Sequence, residues 1–205
     1  MKIRIVKVLF IALTLVFTGC ATNYKPIYPK NVKYNATDVH DGIDFAYRYG
    51  ILKERGNNRY AKKEYKKNIK IIAIRITNNT DSIINVERNI EFYSGQNKVF
   101  PMLPLVIKNQ LRQIVPSYFP YALFTFMNFY VTNGNSVKVY PIGLVLGPAL
   151  SIGNIATAAT ANKRMLDELN MYNVLNKNIQ KGETVYGIIG IREMGYNPIT
   201  IKLKK

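Results

Sequence analysis

A mainly β fold, an antiparallel β-sandwich interrupted by a largely helical and uncharged insertion, is what this sequence predicts, and three observations predict it. Short runs alternate apolar and polar residues, as at Ile43, Phe45, Tyr47, Tyr49 and Ile51, which is the period of strands with one buried face. Turn clusters such as Asn78-Asn79-Thr80-Asp81 and Ser94-Gly95-Gln96-Asn97 separate these runs, and no stretch has the spacing of a βαβ unit. From residue 113 to residue 162 the pattern changes, and Lys138 is the one charged residue there. With 205 residues, 48% of them hydrophobic and 20% charged, the chain has the size and composition of one globular domain.

Residues 1–20 read MKIRIVKVLFIALTLVFTGC. Lys2, Arg4 and Lys7 make a basic head, and Val8 to Phe17 is an uncharged apolar run. A membrane-spanning helix needs about 20 such residues, so the run has the length of a signal peptide and not of a permanent anchor. It stops at Thr18-Gly19-Cys20 instead of an Ala-x-Ala site. These residues resemble the lipobox of bacterial lipoprotein precursors, with Phe17 standing where Leu, Val or Ile is usual. The resemblance implies that residues 1–19 are removed, that the Cys20 thiol receives a diacylglycerol thioether, and that the new amine is acylated. Each buried methylene contributes about 0.8 kcal/mol, so two or three acyl chains hold a protein on a membrane durably. Ala21 follows the cysteine, not the Asp that resembles an inner-membrane retention signal, and no acidic cluster comes after it. The expected place is therefore the outer membrane, on its periplasmic face.

Residues 20–37 are expected to be the lipidated N-terminus and a tether. The stretch ATNYKPIYPKNVKYNAT has two prolines, three lysines and no hydrophobic period, and fully extended it would span up to about 55 Å. The sandwich domain is expected over 38–205, interrupted at about 104–176. Its first strand is predicted over Gly42 to Leu52. Lys70 to Thr77 (KIIAIRIT) is rich in β-branched residues and is the second. Ile83 to Val86 and Asn89 to Tyr93 read as short strands, and Lys98 to Leu103 is expected to pair back across the Ser94–Asn97 turn.

The middle of the chain breaks the strand pattern. Pro104 to Val115 places Ile107, Leu111 and Ile114 at helical spacing, with a proline at its start and Pro116 at its end. Seven aromatic residues follow between Tyr118 and Tyr130. A second uncharged stretch, Val139 to Asn162, includes Gly143 and Gly147, a small-xxx-small pair that allows close helix approach. Ala156 to Asn176 reads as a helix, with Met165, Leu169, Tyr172 and Leu175 on one face. Pro116, Pro120, Pro141 and Pro148 count against spanning helices. A helical hairpin packed on an open face of the sandwich is the expectation, with shallow insertion into one leaflet and true spanning as the competing readings.

The chain returns to strands at its end. Asn178 to Ile191 has a turn at Lys181-Gly182 followed by a strand, and Pro198 to Leu203 alternates again. Two stretches resemble an immunoglobulin-like accessory domain of exported bacterial lipoproteins. They are Ile74-Arg75-Ile76-Thr77-Asn78-Asn79-Thr80, and Lys181-Gly182-Glu183-Thr184 leading into Tyr186-Gly187-Ile188-Ile189. The resemblance covers about half of the mature chain and implies an immunoglobulin-like sandwich of unknown activity. The motifs that carry it are turn chemistry, not catalysis.

Composition restricts the chemistry. Cys20 and His40 are the only cysteine and histidine, which excludes a disulfide framework, a Cys/His zinc site and a Cys–His nucleophile pair. Asp38, His40, Asp41 and Asp44 are the one acidic cluster with a histidine, and they lack calcium-loop spacing. Asp41-Gly42 reads more simply as a turn opening a strand. Ala149 to Gly153 loosely resembles a hydrolase nucleophile elbow around Ser151, yet no βα unit is predicted to hold it. No catalytic residue, cofactor or metal site is assigned.

Charge points outward. The 29 Lys and Arg against 12 Asp and Glu give +17, and the leader removes three basic residues and no acidic one, leaving +14. Lys53 to Lys70 holds eight basic and two acidic residues with Tyr60 and Tyr65 interleaved. It is expected as a solvated loop, with contacts to an anionic ligand through Arg59, Lys62, Lys63, Lys66 and Lys67 as the competing reading. Outside the cytoplasm the available polyanions are lipid phosphates and anionic glycans, so nucleic acid is not an expected partner. The sequence thus predicts a non-catalytic, lipid-anchored envelope protein that docks an envelope protein partner. Binding of anionic lipid or glycan is the alternative.

Overall fold

The computed structural model describes residues 20–204, so the expected signal peptide over 1–19 lies outside the described residues. The chain divides into two compact units. One comprises the residues up to Asn23 and Gln113–Ala161; the other comprises Tyr24–Arg112 and Asn162–Lys205. The second, the sheet unit, holds the two larger sheets.

Its chain path begins with strands Ala36–His40 (β1) and Ile43–Arg48 (β2). They are joined by Asp41-Gly42, whose φ angles of 50° and 77° are those of a two-residue hairpin turn. After helices Ile51–Glu54 (α1) and Asn58–Lys66 (α2) comes the long strand Ile69–Asn78 (β3). Next are Ile84–Asn85 (β4), helix Val86–Asn89 (α3), Ile90–Ser94 (β5), Asn97–Val99 (β6) and helix Pro104–Leu111 (α4). The sheet unit resumes within helix Gly143–Met171 (α5) and ends with Asn178–Ile179 (β9), Thr184–Arg192 (β10) and Ile199–Leu203 (β11). Strands Phe129–Asn133 (β7) and Ser136–Tyr140 (β8) belong to the other unit.

All strand pairs are antiparallel. The larger sheet has the order β1-β2-β3-β10, the next β11-β5-β6, and β4 pairs with β9. β3 and β10 pair over nine residues, from Thr184↔Thr77 to Arg192↔Ile69. Ile72, Ile74 and Ile76 of β3 and Phe45 of β2 face Ile90, Phe92, Ile199 and Ile201 across one core. The Phe45 and Phe92 rings meet edge to face at 6.2 Å. Ile69, Ile71 and Ala73, on the alternate positions of β3, are buried as well. Ile107 of α4 lies over the sheet at Gly190, where a Cβ would come within 2.6 Å of its Cδ1. A strand covered on both faces reads as a near-continuous apolar run, which is why KIIAIRIT lacks polar alternation.

Several expectations need correction. Helix and strand are present in comparable amounts, so the fold is mixed α and β with antiparallel sheets, not mainly β. The strand predicted over 42–52 ends at Arg48. Gly50, at φ 70°, turns the chain into α1, which buries Ile51 and Leu52. The charged stretch 53–70 is no loop; its middle folds as α2, Asn58–Lys66, which buries Tyr60 and Glu64 at i and i+4. Leu111, not Val115, ends α4, and α5 begins at Gly143, well before Ala156.

The tether is also shorter than expected. Tyr24 and Ile27 are buried, and Glu168 of α5 clips them in place. Its carboxylate accepts the Tyr24 hydroxyl at 2.6 Å and the Ile27 and Tyr28 N–H groups at 2.7 and 3.0 Å. Asn57 adds a reciprocal pair with the Lys25 backbone. Strand β1 then starts at Ala36, inside the stretch read as tether.

Candidate functional site

Cys20, the proposed site of lipidation, is half-buried in the smaller unit. The chain after it is held by two buried side-chain amides. Asn154 of α5 accepts the Ala21 N–H at 2.6 Å, and its Nδ2 lies 4.0 Å from the Cys20 sulfur. Gln113 accepts the Thr22 N–H at 3.0 Å and donates to the Thr22 carbonyl at 2.6 Å. An extended backbone thus receives from Gln113 the pair of bonds that a neighbouring strand would give, which satisfies a buried polar group on each side. Sequence reasoning assigned neither Asn154 nor Gln113 a docking role. Nothing in their spacing marks them, because their partners lie 133 and 91 residues away.

The rest of this unit is not a helical hairpin. Val115–Phe126 is a 3-10 helix with Pro116 and Pro120 in it, β7 and β8 form a hairpin across Gly134, and α5 follows. Gly143 and Gly147 do allow a close approach, but to the 124–127 backbone and not to a second helix. A Cβ on Gly147 would press into the backbone of Thr125, and one on Gly143 into the carbonyls of Phe124 and Thr125. The expectation that 104–165 packs as core holds only for parts of it. Ile107, Leu111, Tyr118, Ala158, Ala161 and Met165 are buried, whereas Leu123, Phe126, Leu144 and Val145 are exposed.

The basic segment sits on α2 of the sheet unit. Its five nominated residues fall on two helix faces. Lys62 and Lys66, one turn apart, line an open groove of about 600 Å³ together with Lys53, Tyr65 and Tyr196. Arg59, Lys63 and Lys67 follow i, i+4, i+8 on the adjacent face. There Lys63 Nζ donates to the Arg112 carbonyl. Partial burial, then the cations of Arg112, Lys67 and Arg59, push the Lys63 amine below its ordinary range. Lys67 caps the C-terminus of α2. Tyr196 was missed by sequence reasoning, since it lies 130 residues beyond Lys66. Beneath it, the buried Lys70 places its ammonium 4.4 Å from the Tyr196 ring centroid.

The acidic cluster is spread along the first hairpin. His40 and Asp41 approach at 3.4 Å on the surface, and Asp38 accepts the Ile201 N–H at 3.3 Å. Among the described residues no group of three His, Cys, Asp or Glu side chains converges as a metal site would. Ser151 lies inside α5, not at a strand-to-helix turn, and its hydroxyl donates to the Tyr118 carbonyl at 3.4 Å. No protein-family model matches the chain, and no curated protein or solved structure matches it either.

Proposed function

We propose that the chain is a non-catalytic lipoprotein of the cell envelope, anchored through Cys20, whose immunoglobulin-like sandwich serves as a structural or protein-docking module. The observation that carries the reading is the position of the one cysteine, directly after a basic head and an apolar run. Two facing antiparallel sheets of four and three strands suit the architecture of such a sandwich. The pairing of β2 with β3 in one sheet departs from the immunoglobulin strand order, so the likeness lies in layering alone. The outer membrane, on its periplasmic face, is the location that Ala21 favours. Mass spectrometry of the mature N-terminal peptide tests the reading. A diacylglyceryl cysteine at Cys20 is the expected result, and an unmodified peptide that retains residues 1–19 refutes it.

The groove on α2 favours a second reading, in which the module also binds an anionic lipid headgroup or glycan. Lys53, Lys62 and Lys66 supply charge, and Tyr65 and Tyr196 supply ring faces on which sugars can stack. Reversing Lys62 and Lys66 to Glu should reduce binding of anionic vesicles or glycan at least tenfold, while reversing Lys63 and Lys67 should reduce it less. Equal effects from both pairs would count against the groove and leave unspecific attraction to a basic surface.

A further inference from the structure

We propose that residues 113–154, with Cys20 at their root, form a monotopic insertion module whose end remote from Cys20 is buried among the acyl chains of a single leaflet. The inference rests on the reading of Cys20 as a lipid attachment point and adds what lies beside the lipid.

The smaller unit has two unlike ends. At one, buried Gln113 and Asn154 bind the backbone of Ala21 and Thr22, next to the cysteine, and buried Ser151 lies one turn of α5 from Asn154. From there the 3-10 helix runs beside α5 in the opposite direction. Tyr118 is level with Ser151, Thr125 with Gly147, and Met127 accepts the Gly143 N–H at 2.8 Å at the far end. The buried polar side chains Gln113, Ser151 and Asn154 are thus collected at the cysteine end.

The far end, apart from the exposed Asn128, is apolar and uncovered. The first eight residues of α5 read GLVLGPAL. Apart from the glycine face, the helix exposes them: Leu144 is 61% exposed and Val145 72%, and across from them Leu123 is 69% and Phe126 80% exposed. A helix that is apolar all round belongs in a core or in lipid. The β7–β8 hairpin is bare on both faces, with Phe129 and Tyr140 on one and Tyr130 and Val139 on the other. A lone two-stranded ribbon is marginal in water, so this surface needs a covering.

Acyl chains on Cys20 supply that covering and set its depth. They bring headgroup level to Asn154, 4.0 Å from the sulfur. From Asn154 back to Gly143 the helix rises about 16 Å, and one leaflet of hydrocarbon is about 15 Å thick. With α5 along the bilayer normal, Gly143 therefore lies close to the midplane, far short of the opposite headgroups. Lys138 is the one charge between residues 113 and 162. The hairpin strands, about 16 Å long, can return the Asn133-Gly134-Asn135 tip toward the headgroups, and Lys138, about 7 Å along from Tyr140, reaches the rest of the way with its long cationic side chain.

The chain has no tryptophan, so one introduced indole reports its surroundings without background. Full-length lipidated protein carrying Phe126→Trp, Val145→Trp or Ile83→Trp is reconstituted in phosphatidylethanolamine–phosphatidylglycerol vesicles with brominated acyl chains. All three positions are exposed, so the substitutions leave packing alone. Blue-shifted emission that loses most of its intensity to the bromines at positions 126 and 145, with solvent-like, unquenched emission at 83, is the expected result. Solvent-like emission at all three positions from vesicle-bound protein overturns the insertion. Blue-shifted but unquenched emission at 126 and 145 overturns it too, because a second copy or another protein then covers the face. The mass of the N-terminal peptide is measured on the same sample. A chain without lipid that is still quenched at 126 and 145 refutes the anchor and keeps the insertion, so the two readings fail separately.

Discussion

Glu64 carries a carboxyl into the sheet unit, where it is 5% exposed and accepts the Ile71 N–H at 2.7 Å. Burial pushes its pKa up to about 7, against the opposing pull of that hydrogen bond and of Lys70. A carboxyl raised in the folded state binds its proton more tightly there than in the unfolded chain. Its contribution is fully present below the unfolded value of 4.5 and is lost as pH rises to about 7. Wild-type stability should decline through that window, by about 3 kcal/mol at most. Glu64→Gln should flatten the decline and unfold later than wild type at pH 8, as read by denaturant titration at several pH values. Glu168 has the opposite task, since its two oxygens hold Tyr24, Ile27 and Tyr28. Burial and the neighbouring Glu168 carboxylate push the Tyr24 phenol far above its ordinary range, so it stays a donor. Glu168→Ala strands these donors and should cost about 2–4 kcal/mol. Protease should then cut between Asn23 and Tyr34, and protection equal to wild type would refute the clip. Neither role is legible in the sequence, where Glu64 sits in a charge run and Glu168 lies 140 to 144 residues from its partners.

At the scale of elements, two glycines of α5 give opposite expectations. A Cβ on Gly147 would meet the Thr125 backbone, whereas one on Gly153 meets nothing within 4 Å. Gly147→Ala should destabilise by about 1–3 kcal/mol through overpacking, and Gly153→Ala should stabilise by about 1 kcal/mol through helix propensity. Thermal unfolding of the pair checks both signs. The strands β3, β5, β10 and β11, the hairpin turn at Gly95 and the proline-started α4 were all legible, because local period and turn chemistry specify them. Helix α2 was not, because its charge run hid that Tyr60 and Glu64 are spaced to face inward together. The hairpin at β7–β8 was not, because an uncharged aromatic stretch has no period that separates strand from helix.

On the whole molecule, the proposed anchor and the charge act through different physics. Acyl burial does not depend on salt, while attraction between a chain of +14, once the proposed leader is removed, and anionic surfaces is screened over about 10 Å at 0.1 M salt. A 1 M salt wash should therefore leave the protein on membranes while abolishing its capture of added anionic vesicles or glycan, as followed by sedimentation. Release by salt alone would overturn the lipid anchor. The main strands could be read from the sequence by itself, since each depends on residues adjacent in the chain. Only the tertiary structure decided that Asn154 and Gln113 dock the cysteine end, that Tyr196 joins Lys62 and Lys66, and that Leu144 and Phe126 are bare. Those are contacts, or missing contacts, between residues far apart in sequence, and burial of a side chain is set by what the rest of the fold brings to it.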